Sequence, residues 1–149
     1  KLSDLMERSR PEDTDAHCNK CKRECQKTIR RNITYAADNI LVHMKRFQKT
    51  SYETSKNNAE VVPTPVYLHI NGKKIRYEVC SIVCHVGSLR SGHYTFYSLD
   101  QGRWTCFNDA EVTQMESAPT NGYILLLKRD TEYTGCLEEG EGSAPIKYT

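Results

Sequence analysis

The amino-acid sequence predicts an α+β domain in which an antiparallel sheet dominates and one short helix precedes it. Three observations lead to this fold class: several apolar segments of strand length, two hairpin signals, and a single amphipathic stretch of helical period. The chain has 149 residues, of which 38% are hydrophobic and 27% charged, a size and composition suited to one globular domain. One short helix cannot cover a face of a sheet of this size. This indicates that a segment which would cover the sheet is missing from the chain.

The helix is predicted over residues 1–9. Leu2, Leu5 and Met6 fall on one helical face, and the polar segment that follows carries Pro11, which should end the helix. Strands are predicted between residues 26 and 47, with a break near residues 36–39. Residues 40–44 are nearly all apolar, a pattern typical of a strand that is buried on both faces.

Two hairpins are predicted further along the chain. Residues 66–70 and 75–86 flank Asn71-Gly72, a dipeptide that suits a type I′ turn. Residues 93–99 and 103–108 flank a turn at residues 100–102, and residues 123–128 form one more buried strand. Residues 48–59 are polar and predict a loop. We expect a folded domain over residues 1–129 and a flexible, Gly- and Glu-rich tail over residues 130–149.

Composition argues against several classes of protein. No apolar run reaches the roughly 18 residues of a membrane helix, and the polar first residues lead us to expect no signal peptide. The chain starts with Lys1 rather than Met, which we interpret as a piece of a longer protein. Seven cysteines without regular spacing indicate reduced thiols and an intracellular location, cytoplasmic or nuclear.

Positive charge is concentrated in the first third of the chain. Residues 1–50 hold twelve Lys or Arg against seven Asp or Glu, although the whole chain has a net charge of only +2. The basic tract at residues 20–31 alternates with Cys, Ile and Thr and lacks interleaved aromatic residues. We therefore expect a solvated strand face rather than a nucleic-acid site.

The second hairpin places a histidine near an amide. If the hairpin folds about Asp100-Gln101, His93 lies opposite Asn108 on one face of the sheet. A register shifted by two would instead put Thr95 opposite Asn108 and make His93 a diagonal neighbour. A cysteine protease of the Cys-His-Asn type needs this pair, because the imidazole accepts a thiol proton while the amide oxygen fixes its tautomer. The simpler alternative is a cross-strand polar pair without catalytic meaning.

The stretch around this hairpin resembles the histidine box of the ubiquitin-specific proteases. These cysteine proteases hydrolyse the bond after the carboxyl-terminal glycine of ubiquitin. The resemblance also covers the strand that ends in Met44-Lys45-Arg46-Phe47 and the closing strand at residues 123–126, and its order and spacing agree from residue 2 to residue 129. The elements that match in the box are His85-x-Gly87, Gly92-His93-Tyr94, Trp104-x-x-Phe107-Asn108-Asp109 and Val112.

The resemblance implies a papain-like fold, represented here by its strand-rich fingers and palm, in the carboxyl-terminal half of the domain. It implies that His93 is the general base and that Asn108 orients it. It also implies that Asp109 is an acidic neighbour that assists the oxyanion or the base. Gly92 and Tyr94 would border the channel for the carboxyl-terminal glycines of ubiquitin, which is the expected partner together with the missing amino-terminal half of the domain.

The nucleophile box of that family, a Gly-Asn-Thr-Cys-like string, does not precede any of the seven cysteines. We therefore expect this chain alone to be inactive, although the parent domain would be a thiol-dependent ubiquitin hydrolase. The alternative is a non-catalytic ubiquitin-binding scaffold. A third hypothesis is a small zinc module.

A Cys-x-x-Cys pair, Cys18 and Cys21, is the candidate metal site. A closed structural zinc site needs four ligands, and the family resemblance supplies them from two such pairs, of which this is the later. His17 and Cys25 lie nearby in the sequence and are the remaining candidate ligands. With one pair alone, the sequence predicts half of a site and weak zinc binding.

Overall fold

The computed structural model describes residues 1–7, 12–29, 33–49 and 51–133. Within these ranges one helix is followed by strands only. The elements are α1 (Leu2–Glu7), β1 (Glu12–His17), β2 (Glu24–Ile29), β3 (Asn39–His43), β4 (Phe47–Lys49), β5 (Thr54–Lys56), β6 (Val66–Ile70), β7 (Lys73–Gly87), β8 (Gly92–Asp100), β9 (Arg103–Asn108), β10 (Glu111–Met115) and β11 (Gly122–Arg129). The predicted strand-rich α+β fold is confirmed.

A large antiparallel sheet forms the body of the protein. Its strand order is β10-β9-β8-β7-β11-β3, and β6 also pairs with β7. The 15-residue β7 is the centre of this sheet, because it pairs with β6 near its start and with β8 and β11 further along. Two smaller hairpins, β1–β2 and β4–β5, stand as separate two-stranded sheets.

Two turns set the register of the large sheet. Asn71 and Gly72 both have positive φ, 51° and 75°, as a type I′ turn requires, so this predicted turn is confirmed. Gln101 and Gly102 also have positive φ, 47° and 78°, and the hairpin turns on these two residues. Asp100 consequently pairs with Arg103.

This turn corrects the predicted register of the β8–β9 hairpin. The expected pairing placed His93 directly opposite Asn108, but in the structure Tyr97 faces Cys106 and Phe96 faces Phe107. Continuing this ladder by one residue puts Thr95 opposite Asn108, so His93 is a diagonal neighbour of the amide. The alternative register considered from the sequence is therefore the one observed.

The core lies between one face of the large sheet and the segment that contains α1. Leu2, Tyr77, Ile82 and Leu127 are fully buried in it. The main-chain N–H of Leu2 donates to the Val62 carbonyl at 2.9 Å, which anchors the helix. Of the predicted helical face, Met6 packs partly on the core and Leu5 remains 43% exposed.

The strand at residues 39–43 differs from the prediction of burial on both faces. It lies at the edge of the sheet and pairs only with β11, and its residues alternate between half-buried and exposed, with Leu41 71% exposed. The other face of this strand has no covering layer among the described residues. An apolar run alone does not distinguish a central strand from an edge strand whose cover is supplied elsewhere.

Four observed strands were not predicted. β1 and β10 are short and polar, whereas β4 and β5 form a hairpin that starts at Phe47 and runs into the expected loop at residues 48–59. At the other end, Asp130 still contacts Arg76, and Tyr133 still contacts Tyr67. The rest of the expected tail, residues 134–149, lies outside the described residues. Within the described ranges, no helix has the length and apolar character that a membrane span requires.

Candidate active site

His93 and Asn108 are in direct contact at the end of the β8–β9 hairpin. The Nε2 atom of His93 lies 2.5 Å from the Oδ1 atom of Asn108, although the two residues are diagonal rather than opposed. Because a carboxamide oxygen only accepts hydrogen bonds, Nε2 must carry the proton. The Nδ1 atom of His93 is then the unprotonated nitrogen, the form in which an imidazole accepts a proton.

Asp109 approaches the same nitrogen from the adjoining turn. Its Oδ2 atom lies 3.9 Å from Nε2 of His93, and its side chain is 83% exposed. The residue has a φ of 51°, a left-handed conformation that Asp and Asn adopt more readily than most residues. An exposed carboxylate at this distance contributes little to stability.

Position 92, just before His93, requires a glycine because His85 of the neighbouring strand approaches its backbone closely. A Cβ atom on Gly92 would lie 2.0 Å from Nε2 of His85 and 2.7 Å from the Val86 carbonyl oxygen. The imidazole of His85 thus occupies the space that a side chain would need. Contact of Gly92 with a substrate stays a prediction.

His85 is the buried histidine of this region, with 6% exposure. The Nζ atom of Lys56 donates to the His85 carbonyl at 2.5 Å and lies 3.3 Å from Nδ1 of the ring. Burial, assisted by the Lys56 charge, lowers the pKa of His85 below its ordinary value. His85 is therefore a neutral ring whose Nδ1 accepts from an ammonium group and whose Nε2 carries the proton.

Aromatic rings surround His85. The Tyr94 ring lies 4.6 Å from it between centroids, and the rings of Phe47 and Tyr123 each lie 5.8 Å away. Tyr94 is the outermost of them, since it is 57% exposed. Together these rings form a wall beside the strand that carries His93, because His85 pairs with Tyr94 and Val86 pairs with His93.

A cavity of about 410 Å³ opens next to this wall. Two of its lining residues, Val86 and Gly87, are the register partners of His93 and Gly92. The polar groups around it are basic or amide side chains, and none of the described carboxylates lines it. The lining residues are Arg46, Lys56, Asn58, His85, Val86, Gly87 and Asn121.

Arg46 is the buried cation of this cavity, with 5% exposure. Its Nε atom donates to the Gly122 carbonyl at 2.8 Å, and Nη1 donates to the carbonyls of Asn57 and Ala59. Its Nη2 atom is buried and has no hydrogen-bond partner among the described residues. Such a group is costly unless an acceptor reaches it.

Cys84 is the thiol on the strand next to His93, two residues before Val86 and on the same face. It is 1% exposed, and its Sγ donates to Oδ1 of Asn121 at 3.1 Å. Burial raises its pKa to about 11, so it stays a protonated thiol near neutral pH. A nucleophilic cysteine needs the opposite environment, exposed and electropositive.

The cysteines near the start of the chain form a cluster at the tip of the β1–β2 hairpin. The Sγ atoms of Cys18, Cys21 and Cys25 all lie within 4.8 Å of one another. Hydrogen bonds, above all from the main-chain N–H of Cys21, lower the pKa of Cys18 to about 7. Thiolate donors of this kind fit a soft or borderline metal such as zinc. The predicted pair is therefore joined by one of the two further candidates, Cys25, whereas His17 stands outside the cluster.

Sequence reasoning found the pair at His93 but missed most of the wall and cavity. His85-x-Gly87 and Arg46-Phe47 were noted only as parts of a pattern, without a role. Lys56 lies in a segment predicted to be a loop, and nothing in its neighbours distinguishes it from a solvated lysine. Its position depends on the β4–β5 hairpin, where Lys56 pairs with Phe47.

The chain is similar to known proteins over most of its length. The family profile described as "Ubiquitin carboxyl-terminal hydrolase" matches residues 11–127. Ubiquitin carboxyl-terminal hydrolase 3 of Mus musculus is 32% identical over 127 residues, which cover 72% of this chain and 24% of that protein. Ubiquitin carboxyl-terminal hydrolase 15 of Bos taurus is 25% identical over 132 residues, which cover 80% of this chain and 14% of that protein.

Solved structures show the same fold. A yeast SAGA DUBm structure with an Sgf73 mutant aligns with a TM-score of 0.71 and 21% identity, covering 87% of this chain and 33% of the other. The SAGA Ubp8/Sgf11/Sus1/Sgf73 DUB module bound to ubiquitin aldehyde aligns with a TM-score of 0.62 and 23% identity, covering 80% of this chain and 30% of the other.

The chain thus spans a quarter or less of these two curated relatives and about a third of the structural neighbours. The family match nevertheless covers most of the chain and includes the hairpin that carries His93 and Asn108. The protein belongs to the ubiquitin carboxyl-terminal hydrolase family.

Proposed function

We propose that this chain carries the general-base half of the active site of a thiol-dependent deubiquitinase. The contact that supports the proposal is the 2.5 Å hydrogen bond between Nε2 of His93 and Oδ1 of Asn108. It orients the ring and leaves Nδ1 free to accept a proton, the arrangement that a Cys-His-Asn protease needs.

In the proposed reaction, Nδ1 of His93 takes the proton of a cysteine thiol supplied by another segment of the domain. The thiolate attacks the carbonyl carbon of the last glycine of ubiquitin and forms a tetrahedral intermediate. His93 then gives the proton to the leaving lysine amine, and a thioester remains. Water, activated by the same imidazole, hydrolyses the thioester and releases ubiquitin with a free carboxylate. Asn108 and Asp109 stabilise the imidazolium that forms in both steps.

The wall and cavity next to the start of β8 support a role in holding the substrate. An extended Gly-Gly segment has no side chains, so it is recognised through its carbonyl and N–H groups and through the narrowness of its channel. Tyr94 and Gly92 belong to the strand next to this wall, and Nη2 of Arg46 is a donor in the cavity lining that has no acceptor among the described residues. We propose that the carboxyl-terminal glycines of ubiquitin bind along this strand, bordered by Gly92 and Tyr94.

The nucleophile is proposed to lie outside these 149 residues. The described cysteines belong either to strands of the sheet or to the hairpin cluster, and the thiol closest along the strands, Cys84, is buried and protonated. This chain alone should therefore not hydrolyse ubiquitin amides and should not react with a ubiquitin probe that carries a carboxyl-terminal electrophile.

The test is complementation. A protein that includes the preceding segment of the domain, or that segment added as a separate chain, should gain hydrolysis of a fluorogenic ubiquitin amide. Substitution His93→Ala should reduce kcat by roughly 10²–10⁴-fold or more, the range for loss of a general base. His69→Ala is the matched control, because His69 is an exposed histidine on β6, and it should have no effect.

The buried state of Cys84 also favours a second candidate function, a ubiquitin-binding scaffold without catalysis. Full activity in His93→Ala would overturn the assignment of the base. Binding of ubiquitin without any hydrolysis in the complemented protein would favour the scaffold. Labelling of the isolated chain by the electrophilic probe, lost in His93→Ala, would show that one of its own cysteines is the nucleophile.

A further inference from the structure

The outer strand β10 leaves an unpaired edge of the large sheet close to the proposed base. It pairs with β9 on one side, and no described strand pairs with it on the other. Its five residues, Glu111–Met115, are all exposed. Sheets commonly protect such an edge with lysine, proline or a bulge, but β10 contains neither residue and its ladder with β9 has no register shift. The main chain of β10 is therefore open to one further strand.

The register of the β9–β10 hairpin identifies which main-chain groups are open. Asn108 and Glu111 pair across a two-residue turn, and the pair that closes such a turn exchanges both main-chain hydrogen bonds. Hydrogen-bonded and non-hydrogen-bonded pairs alternate along an antiparallel ladder. The N–H and C=O groups of Val112 and Gln114 consequently point away from β9, towards the free edge.

One face of this edge is apolar. Val112 pairs with Phe107, and Phe107 pairs with Phe96, so the three side chains form a row on one face of the sheet. Val112 is 63% exposed, and the two Phe rings, whose centroids lie 5.7 Å apart, are each about 40% exposed. A strand added at the edge would continue this row, and an apolar side chain on it would cover Val112.

The other face and the ends of the strand are acidic. Glu111 pairs with Asn108, so its carboxylate lies on the same face as that amide. Asp109 and Glu116 add two exposed carboxylates, one at each end of the strand. Residues 104–127 contain these three acidic residues and no lysine or arginine, although the whole chain has a net charge of +2. A positively charged side chain is the complement of this surface.

We propose that the free edge of β10 binds an extended, basic segment of the ubiquitinated protein, which adds to the large sheet as a further strand. Main-chain hydrogen bonds to Val112 and Gln114 hold the segment, as in other cases of strand addition. Its apolar side chains lie along Val112, and its lysine or arginine side chains face Glu111. The binding does not depend on the proposed catalytic function, whereas the origin of the segment, the protein from which ubiquitin is removed, rests on it.

The distance from the edge to His93 supports this occupant. β10 is two strands away from β8, which carries His93, so a strand added to β10 lies about 14 Å from β8 at the usual strand spacing of about 4.8 Å. An extended chain covers this distance in about four residues. In the proposed reaction His93 protonates the leaving lysine amine. Residues about four positions from the modified lysine therefore reach the edge of β10.

Two other arrangements fit the charges less well. If a second copy of this chain paired through β10, the acidic residues of both copies would lie side by side, which is unfavourable. The strand at the opposite end of the sheet, β3, has both Asp38 and Lys45 next to it. Because these charges have opposite signs, that edge has no preference for a basic segment.

The probe is a synthetic seven-residue peptide of alternating lysine and valine, added to the chain of 149 residues. Its lysines and valines project to opposite sides of a strand, as the two faces of the edge require. Fluorescence polarisation of the labelled peptide measures the affinity, and amide hydrogen exchange followed by NMR locates the site. When about nine-tenths of the chain is occupied, exchange at Val112 and Gln114 should slow about tenfold, because only the free fraction exchanges. Thr113, which is bonded to β9, is the internal control and should change little.

Two substitutions separate the main-chain and the charge contributions to binding. Val112→Pro removes an N–H that points away from β9, which an edge strand tolerates, and should weaken binding about tenfold. Val112→Thr keeps this N–H and should weaken binding less. Glu111→Lys places like charges opposite each other and should also weaken binding at least about tenfold. Glu132→Lys makes the same change of charge at an exposed residue beyond the end of β11, and this control should leave the affinity unchanged.

Control peptides test the chemistry of the occupant. A peptide of four lysines followed by three valines has the composition and charge of the probe, but its lysines and valines do not separate onto two faces. It should bind severalfold more weakly than the alternating peptide. A peptide of alternating glutamate and valine should not bind, because its charges repel those of the edge.

Four results would overturn the proposal. They are the absence of binding by the alternating lysine-valine peptide, equal affinity of the block peptide, unchanged affinity of both Val112→Pro and Glu111→Lys, and protection from exchange outside β10. Self-association of the chain that Val112→Pro abolishes would show instead that a second copy occupies the edge. Because ubiquitin hydrolysis is not measured in these experiments, failure here leaves the proposed general base untouched.

Discussion

Two histidines on neighbouring strands of the large sheet have opposite environments. His93 is half exposed and bonded to a neutral amide, whereas His85 is buried and faces the ammonium group of Lys56. The ring of His93 has one nitrogen available, but both nitrogens of His85 are enclosed, one by Lys56 and the other by the backbone at Gly92. The partner and the exposure of each ring, rather than its residue type, decide which one can act as a base.

The two histidines are nevertheless coupled through the backbone. Gly92 permits His85 to pack against the start of β8, and the next residue is His93. The buried ring therefore helps to set the position from which the exposed ring works. The packing of His85 against Gly92 thus connects the wall around His85 with the backbone next to the proposed base.

Among substitutions around the two histidine rings, the largest effect is expected from removing both groups that face Nε2 of His93. In the complemented domain, Asn108→Ala leaves the imidazole in place but free to rotate, so the loss of kcat/KM should stay below about 10²-fold, less than for loss of the base itself. Asp109→Asn should lose little, because Asn tolerates the same φ. The double substitution should cost more than the two single losses combined, since Asp109 can orient the ring when Asn108 is absent. Strictly additive losses of kcat/KM would contradict a shared role of Asn108 and Asp109 in orienting His93.

A smaller effect, on stability, is expected from adding one methyl group between the two histidines. Gly92→Ala would place a Cβ against the His85 ring and the Val86 carbonyl, so the free energy of unfolding should fall by about 1–3 kcal/mol. Urea denaturation of the chain measures this. Ser91→Ala, one residue earlier in the same exposed turn, is the control and should change stability by less than about 0.5 kcal/mol. Equal stability of the two variants would mean that His85 does not pack against Gly92.

The smallest effect is a pH dependence of the free energy of unfolding, which we assign to the buried ring of His85. Because the folded-state pKa of His85 is lowered, the unfolded chain binds a proton before the folded chain does as the pH falls below about 6.5. The free energy of unfolding should therefore decrease between neutral pH and the folded-state pKa. In His85→Gln this component should vanish, whereas His69→Ala, which removes an exposed histidine, should keep it. An unchanged pH profile in His85→Gln would contradict the burial of a neutral ring.

Parts of this arrangement were predictable because they depend on local sequence. Asn71-Gly72 specifies its own turn, and Gly92-His93-Tyr94 together with Asn108 identified the pair at the end of the second hairpin. The first choice of register was wrong by two residues. Gln101 and Gly102, not Asp100 and Gln101, adopt positive φ, and a glycine at the second position of the turn could have indicated this.

The environment of His85 was not predictable in this way. It needs Lys56 and Phe47 from a small hairpin, Tyr94 from β8, and Tyr123 from β11. These contacts join segments separated by tens of residues, and none of them follows from periodicity. The same holds for Cys25, whose place beside Cys18 depends on the pairing of β1 with β2.

The central claim is that Asn108 holds His93 as the tautomer with a free Nδ1. The most direct test is long-range ¹⁵N–¹H NMR correlation of the histidine rings in this chain at pH 8, with the signals of His93 assigned by their loss in His93→Gln. We expect His93 to show a protonated Nε2 and an unprotonated Nδ1, and we expect Asn108→Ala to convert it to a mixture of tautomers. A protonated Nδ1 in the wild-type chain, or a tautomer that Asn108→Ala leaves unchanged, would contradict the claim.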